Sequence, residues 1–184
     1  MNAKHKLLSR IIRVNQAGEL GAQKIYSAQK KVFEFLGKHD DVKEISRMAE
    51  EEQEHLDYFN DEIKKRNVRP TILGPIWEVG ATAIGLSTAI MGPKAAYTCT
   101  EAVEEVIVEH YQDQIDLLEG IDPLLQSKIK KFQADEEAHK QTAIEHGSQQ
   151  AFAYKILKQV LRKTTQAAVC LLYTSDAADD VRSV

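Results

Sequence analysis

Apolar residues recur at three- and four-residue intervals along most of the chain, and alternating β-branched runs are few. That periodicity places apolar side chains on one face of a helix and predicts an all-α protein. The breaks fall where helix signals place them. A first helix runs from Lys6 to Leu36 and stops at Gly37. Asp40 or Asp41 caps a second, which runs to Arg66, ahead of Asn67 and Pro70. Gly92-Pro93 opens a third, with Pro93 suited to its first turn, and this helix reaches Glu119. Gly120 and Asp122-Pro123 form the next stop and start. The fourth helix ends at Gly147, and Ser148 caps a shorter fifth.

Between the second and third helices lies a mostly apolar stretch, Ile72 to Met91. Its length would suffice for a membrane span. Glu78, Gly74, Pro75, Gly80 and Gly85, with Thr82, Ser87 and Thr88, interrupt it, so the better reading is a crossover connecting two helical hairpins of a four-helix bundle.

The two hairpins repeat one set of residue types. Glu19 lies in the first helix, and Glu52-Gln53-Glu54-His55 begins 33 residues later in the second. Glu104 lies in the third helix, and Glu136-Glu137-Ala138-His139 begins 32 residues later in the fourth. Residues i and i+3 of a helix share a face, so each Glu-x-x-His aims a carboxylate and an imidazole at one point. Four carboxylates and two imidazoles from paired hairpins are the ligand set of ferritin-like di-iron bundles. A structural zinc site takes four ligands and favours Cys and His. Six ligands, four of them hard oxygen donors, suit two iron ions with shared carboxylates. Glu52 and Glu136 are best placed to bridge the metals, with Glu19 and Glu104 terminal.

Acidic residues crowd these positions, so the ligand register has to be argued. Of Glu50, Glu51 and Glu52, and of Asp135, Glu136 and Glu137, only Glu52 and Glu136 stand three residues before a histidine. In the third helix Glu101, Glu104, Glu105 and Glu109 compete. Glu104 reproduces the spacing of the first half and has Tyr111 seven residues on, as Glu19 has Tyr26. His110 and Tyr111 are the candidate catalytic residues, against a plainer reading as packing groups with a polar tip. Asp135 could accept a hydrogen bond from a ligand imidazole or be a surface charge. His39 and His146, at helix ends, fit capping or dipole roles. Cys99 reads as a small core residue, and the remaining Lys and Glu runs as solvated helix faces.

A net charge of -4 makes no case for nucleic acid as a partner. Two cysteines, Cys99 and Cys170, exclude a disulfide scaffold and a cysteine zinc site, and point to a reducing compartment. The first residues, with Lys4, Lys6, Arg10 and Arg13 among Leu7, Leu8, Ile11 and Ile12, have neither a secretory signal nor a transit-peptide pattern. The expectation is a protein made where it works, or a processed form. Basic residues here, with apolar faces on the crossover and the fifth helix, predict a protein that lies on a bilayer without spanning it.

Several segments resemble, in order, the demethoxyubiquinone hydroxylases, di-iron monooxygenases of ubiquinone biosynthesis. They are Arg10-Ile-Ile-Arg-Val-Asn-Gln-Ala-Gly-Glu19, Glu52-Gln-Glu-His55-Leu with Phe59-Asn60, Val68-Arg-Pro-Thr71, Ala102-Val-Glu104-Glu105, His110-Tyr111, and Asp135-Glu136 with His139. The resemblance covers Leu8 to Leu161. It implies that the six residues Glu19, Glu52, His55, Glu104, Glu136 and His139 bind two irons, and that O2 and NADH-derived electrons hydroxylate a polyprenyl benzoquinone. It also implies a peripheral seat on the cytoplasmic face of a bacterial inner membrane, or on the matrix face of the mitochondrial one. The partners to expect are the quinone, O2, the membrane surface, and a second copy of the chain or a lipid-binding protein. Gln16 departs from the pattern, where His is common in the family, but it is not among the ligands.

After Val169 the sequence leaves that pattern. Cys170-Leu-Leu-Tyr-Thr-Ser-Asp-Ala-Ala-Asp-Asp180 looks like a translated sequencing adapter. The expected organisation is therefore a ferritin-like di-iron domain over residues 1–169 and a non-native tail over 170–184. The rival function is a ferritin-like iron-handling or storage protein, using the same six ligands without an organic substrate. The apolar crossover argues against it, since a soluble cage has no need for such a connector. The absence of a Cys-x-x-Cys module argues against a rubrerythrin-like peroxidase.

Overall fold

The computed structural model describes residues 3–182, with side chains over 3–174. The described residues form six α-helices and no strand: α1 (Ala3–Phe35), α2 (His39–Lys65), α3 (Gly74–Ile90), α4 (Pro93–Leu117), α5 (Pro123–Glu145) and α6 (Tyr154–Arg182), with a 3-10 turn at Ser148–Gln150 before α6. The all-α class expected from periodicity is the class observed. The chain forms two compact units. The first runs to Ser87 and includes the chain from Ala167 on, and the second is Thr88–Gln166.

In the first unit α1 and α2 pack as an antiparallel hairpin. The turn between them closes with Gly37 at φ +66°, and the Lys38 amide reaches back to the Phe33 carbonyl at 2.9 Å. This is the left-handed helix stop that glycine permits without a Cβ clash. Asn67 at φ +50° ends α2 the same way, with the Val68 amide on the Ile63 carbonyl at 2.9 Å. Ile11, Ile12, Phe33, Ile45, Met48 and Phe59 fill the core of this unit. Polar rungs fix the pairing of the helices. The Gln23 amide donates to the Ala49 carbonyl, Gln16 to Asn60 at 3.1 Å, and Arg13 to the Arg69 carbonyl at 2.8 Å.

The apolar stretch after α2 forms α3, and no helix among the described residues is long and apolar enough to cross a membrane. α3 lies close on α1. A Cβ added at Gly85 would stand 2.5 Å from the Ile25 carbonyl oxygen and 2.9 Å from the Ala28 Cβ. Farther along the same contact, the Trp77 indole covers Gly21, and Lys24 pairs with Glu78 at 2.7 Å. Val169, Leu172 and Tyr173 of α6 return to this unit and pack with Val14, Ala17, Leu73 and Trp77.

In the second unit α4 and α5 form another antiparallel hairpin, with Tyr97, Leu118, Leu125, Ile129 and Phe132 in its core. Pro93 sits in the first turn of α4, and the Asp122 side chain caps α5 by accepting from the Leu125 amide at 3.1 Å, as the sequence signals predict. Gln126 and Gln133 donate to the Ile115 and Val108 carbonyls of α4, at 2.8 and 3.1 Å. Two hairpins joined by a crossover helix give the connectivity of ferritin-like proteins.

Two caps differ from expectation. α2 begins at His39, so Asp40 and Asp41 stand inside its first turn and act on the helix dipole rather than as side-chain caps. Ser148 heads the 3-10 turn and not α6, because its hydroxyl is taken by the buried Glu101 carboxylate.

Candidate metal centre

The α1–α2 hairpin brings Glu19, Glu52 and His55 together. All three are buried, and His55 Nδ1 lies 3.8 Å from Glu19 Oε2 and 3.7 Å from Glu52 Oε2. In the α4–α5 hairpin Glu104, Glu136 and His139 are likewise buried, and His139 Nδ1 lies 3.1 Å from Glu136 Oε2. Within each triplet one potential ligand atom per residue falls within 4.8 Å of the others. The i, i+3 geometry is responsible. α2 and α5 each carry a carboxylate and an imidazole one turn apart on their buried face, and the preceding helix supplies the third group.

Burial raises the Glu19 carboxyl to about 7. His55 opposes the shift, and the neighbouring Glu52 charge reinforces it. Carboxylates so placed are costly to ionise unless a cation compensates them. Each triplet offers two carboxylates and one imidazole, with no thiolate, a donor set that suits a hard-to-intermediate divalent ion.

The competing acids lie elsewhere. Glu50 is exposed, Glu51 pairs with Arg47 at 2.7 Å, and Glu137 is held by Lys140 at 2.5 Å and Gln141 at 3.0 Å. Asp135 is half-buried, with Lys131 3.8 Å away. Glu105 and Glu109 face the cations of α6.

Tyr111 is fully buried on α4, as Tyr26 is on α1. It follows Glu104 by two helical turns, about 10 Å along the axis, so it shares the stripe of that carboxylate without lying beside it. The neighbouring His110 ring is 6.4 Å from the Tyr111 ring and nearly parallel to it. Gln114 donates to His110 Nε2 at 2.6 Å, and burial depresses the imidazole to about 4, against a small opposing effect of Asp113. His110 is thus a neutral imidazole at ordinary pH. Of the terminal histidines, His39 opens α2, and His146 ends α5 with its ring 4.7 Å from that of Tyr97. Cys99 is buried, and burial pushes its thiol up to about 12, in keeping with a core residue.

Two expectations need correction. Arg13, grouped by sequence with the basic residues of a surface-facing helix start, is buried against the Arg69 carbonyl. The acidic and basic runs of α4 and α6 are not all solvated. Glu101 is buried and accepts from Ser148, from the Tyr154 hydroxyl at 2.6 Å and from Lys158 at 2.6 Å. Burial would raise its pKa, but these donors outweigh it and hold the carboxyl below the ordinary range. The signal was present in the spacing, since Glu101 lies three residues before Glu104 and so shares its face.

The family model of ubiquinone biosynthesis protein COQ7 matches residues 6–172. The chain is 40% identical over 175 residues to the NADPH-dependent 3-demethoxyubiquinone 3-hydroxylase, mitochondrial, of Mus musculus, covering 92% of this chain and 79% of the relative. It is 38% identical over 164 residues to the 3-demethoxyubiquinol 3-hydroxylase of Rhodospirillum rubrum, covering 89% and 76%. It is 36% identical over 184 residues to the 5-demethoxyubiquinone hydroxylase, mitochondrial, of Saccharomyces cerevisiae, covering 91% and 78%. With the paired hairpins and their two buried Glu/His triplets in view, a match over nearly the whole helical chain makes it a member of the ubiquinone biosynthesis protein COQ7 family.

Proposed function

We propose that the protein is a di-iron monooxygenase that hydroxylates the ring of a demethoxyubiquinone-type polyprenyl benzoquinone, using O2 and electrons from a reduced nicotinamide. The observation that carries this reading is the pair of buried triplets, Glu19, Glu52 and His55 with Glu104, Glu136 and His139, in a chain whose relatives are named as hydroxylases of such quinones. The expectation from sequence was NADH, whereas the mouse relative's name specifies NADPH.

In this reading the carboxylates of Glu19, Glu52, Glu104 and Glu136 and the imidazoles of His55 and His139 would hold two irons. The metals would supply the redox chemistry for inserting one oxygen atom of O2 into a ring C–H bond, with the other reduced to water by the two electrons of the nicotinamide. Burial of these six side chains excludes bulk water from the reacting centre, which strengthens every charge interaction there. Tyr111, with its phenol on the Glu104 stripe, and His110, with an imidazole held neutral, are assigned to proton or electron delivery.

The exposed side of α3 supports a peripheral seat on a membrane. Ile76, Val79, Ala83, Leu86 and Ile90 recur at three- and four-residue spacing and all face outward, with the exposed Ile72 just ahead of the helix. A stripe of that kind buries its apolar area in the headgroup and acyl boundary. It also favours a long-tailed lipid substrate over the storage reading.

The deciding experiment supplies purified protein with a short-tailed demethoxyubiquinone, NADH or NADPH, and 18O-labelled O2. The expected product is the ring-hydroxylated quinone carrying one labelled oxygen. Rapid oxidation and accumulation of many irons per chain, with no hydroxylation under reducing conditions, would assign the protein to iron storage.

We further propose that the native domain covers residues 1–169 and that the segment from Cys170 on is foreign. Residues 183–184 and the side chains of 175–184 lie outside the described residues. Sequencing the source gene tests this, and a gene that encodes Cys170 to Asp180 as printed overturns it.

A further inference from the structure

We propose that Lys158 and Arg162 of α6 determine which glutamate of α4 is left to bind metal, an inference that rests on the di-iron reading above. α4 carries four acids within nine residues, Glu101, Glu104, Glu105 and Glu109. Glu101 and Glu104 share a buried face and stand about 4.5 Å apart along the helix axis. Either could serve as a hard oxygen ligand by chemistry alone.

α6 and the 3-10 turn before it divide these acids. Glu101 Oε1 accepts from the Tyr154 hydroxyl and from Lys158 Nζ, each at 2.6 Å, and Oε2 accepts from Ser148. Glu105 lies 2.8 Å from Lys158 Nζ and 3.5 Å from Arg162. Glu109 takes the Arg162 guanidinium on both oxygens, at 2.7 and 3.0 Å. Glu104 instead offers an oxygen within 4.8 Å of ligand atoms on Glu136 and His139.

A carboxylate that already accepts from an ammonium and two hydroxyls has most of its acceptor sites filled, and a metal would have to displace all three. Without the α6 cations, three further carboxylates within two turns of Glu104 would carry uncompensated charge. In a partly buried setting that charge attracts any hard divalent cation. Lys158 and Arg162 are therefore specificity-determining residues for metal uptake. They act by occupying Glu101, Glu105 and Glu109 and not by touching the metal.

The test uses the full chain, freed of metal and titrated with Mn2+, with bound metal counted from loss of the free-ion EPR signal. Wild type should bind about two ions per chain. Lys158→Met with Arg162→Met should bind at least about one more, because the freed carboxylates are hard oxygen donors. Adding Glu101→Gln, Glu105→Gln and Glu109→Gln should return the count to the wild-type value. Lys158→Arg with Arg162→Lys should leave it unchanged, as should removal of the exposed Lys155 and Lys163 on the same helix, which controls for net charge. If the double methionine variant does not fold, Lys158→Gln alone should show the same rise. A wild-type count of two with no rise in a folded cation variant overturns this proposal alone. A rise equally produced by removing Lys155 and Lys163 also overturns it. A wild-type count of zero overturns the di-iron reading and this proposal with it.

Discussion

Glu136 and His139, one helical turn apart on α5, approach to 3.1 Å, and Glu52 and His55 on α2 repeat the pair at 3.7 Å. Under the di-iron reading proposed above each hairpin supplies three of the six ligands, so damage to either should be felt in metal content. Purified protein should hold about two irons per chain. Glu52→Ala and His139→Ala should each lose about one iron or more, measured by elemental analysis, while far-UV circular dichroism stays helical. Full iron in both variants would remove these residues from the ligand set.

The raised pKa of Glu19 gives the metal-free and metal-loaded forms opposite pH dependence. Its folded-state value is about 7 against an ordinary 4.5. Between those values the folded state binds more protons than the unfolded state, so the metal-free protein loses stability as pH rises from 4.5 to 7. Metal requires the deprotonated ligand, so the loaded protein gains stability over the same window. Urea midpoints at pH 5 and pH 7.5, with and without iron, should cross. Parallel slopes would contradict the assignment of Glu19 to the metal.

Helix α3 depends on Gly85. Replacing a helical glycine with alanine ordinarily stabilises by up to about 1 kcal/mol through propensity. Here the new methyl would meet the Ile25 carbonyl at 2.5 Å, and backbone cannot rotate away as a side chain can. Overpacking of that kind costs about 1–3 kcal/mol, so Gly85→Ala should lower stability on balance. Gly80→Ala, which meets nothing within 4 Å, should be neutral or stabilising. Thermal melts of the two variants check the contrast.

The outward stripe of α3 should carry membrane binding. Wild-type protein should co-float with liposomes in a manner that partly survives high salt, since screening weakens only the charged component. Ile76→Glu with Val79→Glu, both about three-quarters exposed, should abolish flotation and leave the iron content intact. Undiminished flotation of this variant would assign binding to another surface.

What the sequence made legible follows from local geometry. The i, i+3 rule was enough to group Glu52 with His55 and Glu136 with His139, and the glycine and proline breaks placed the boundaries of α1 to α5 within a few residues. The last helix differs from expectation: α6 starts at Tyr154, not just after Ser148, and with 29 residues it is not short. The role of Ser148 was not legible, because a serine before a helix reads as a cap unless a buried carboxylate 47 residues away is known to claim its hydroxyl. The same holds for Arg13, whose burial depends on a carbonyl 56 residues further along. Spacing on one helix reports which residues share a face. It cannot report which distant donor that face will meet.

Val169 packs beside Val14 and Ala17, so one core joins α1 to a segment translated about 150 residues later. During translation the α1–α2 hairpin can form early, but this face of α1 must wait for its cover. At about 5–20 residues per second the wait is roughly ten to thirty seconds. An apolar strip left open for that long is a ready binding place for nascent-chain chaperones. Slowing the ribosome ahead of α6 should therefore lower the yield of soluble protein more than slowing it within α2.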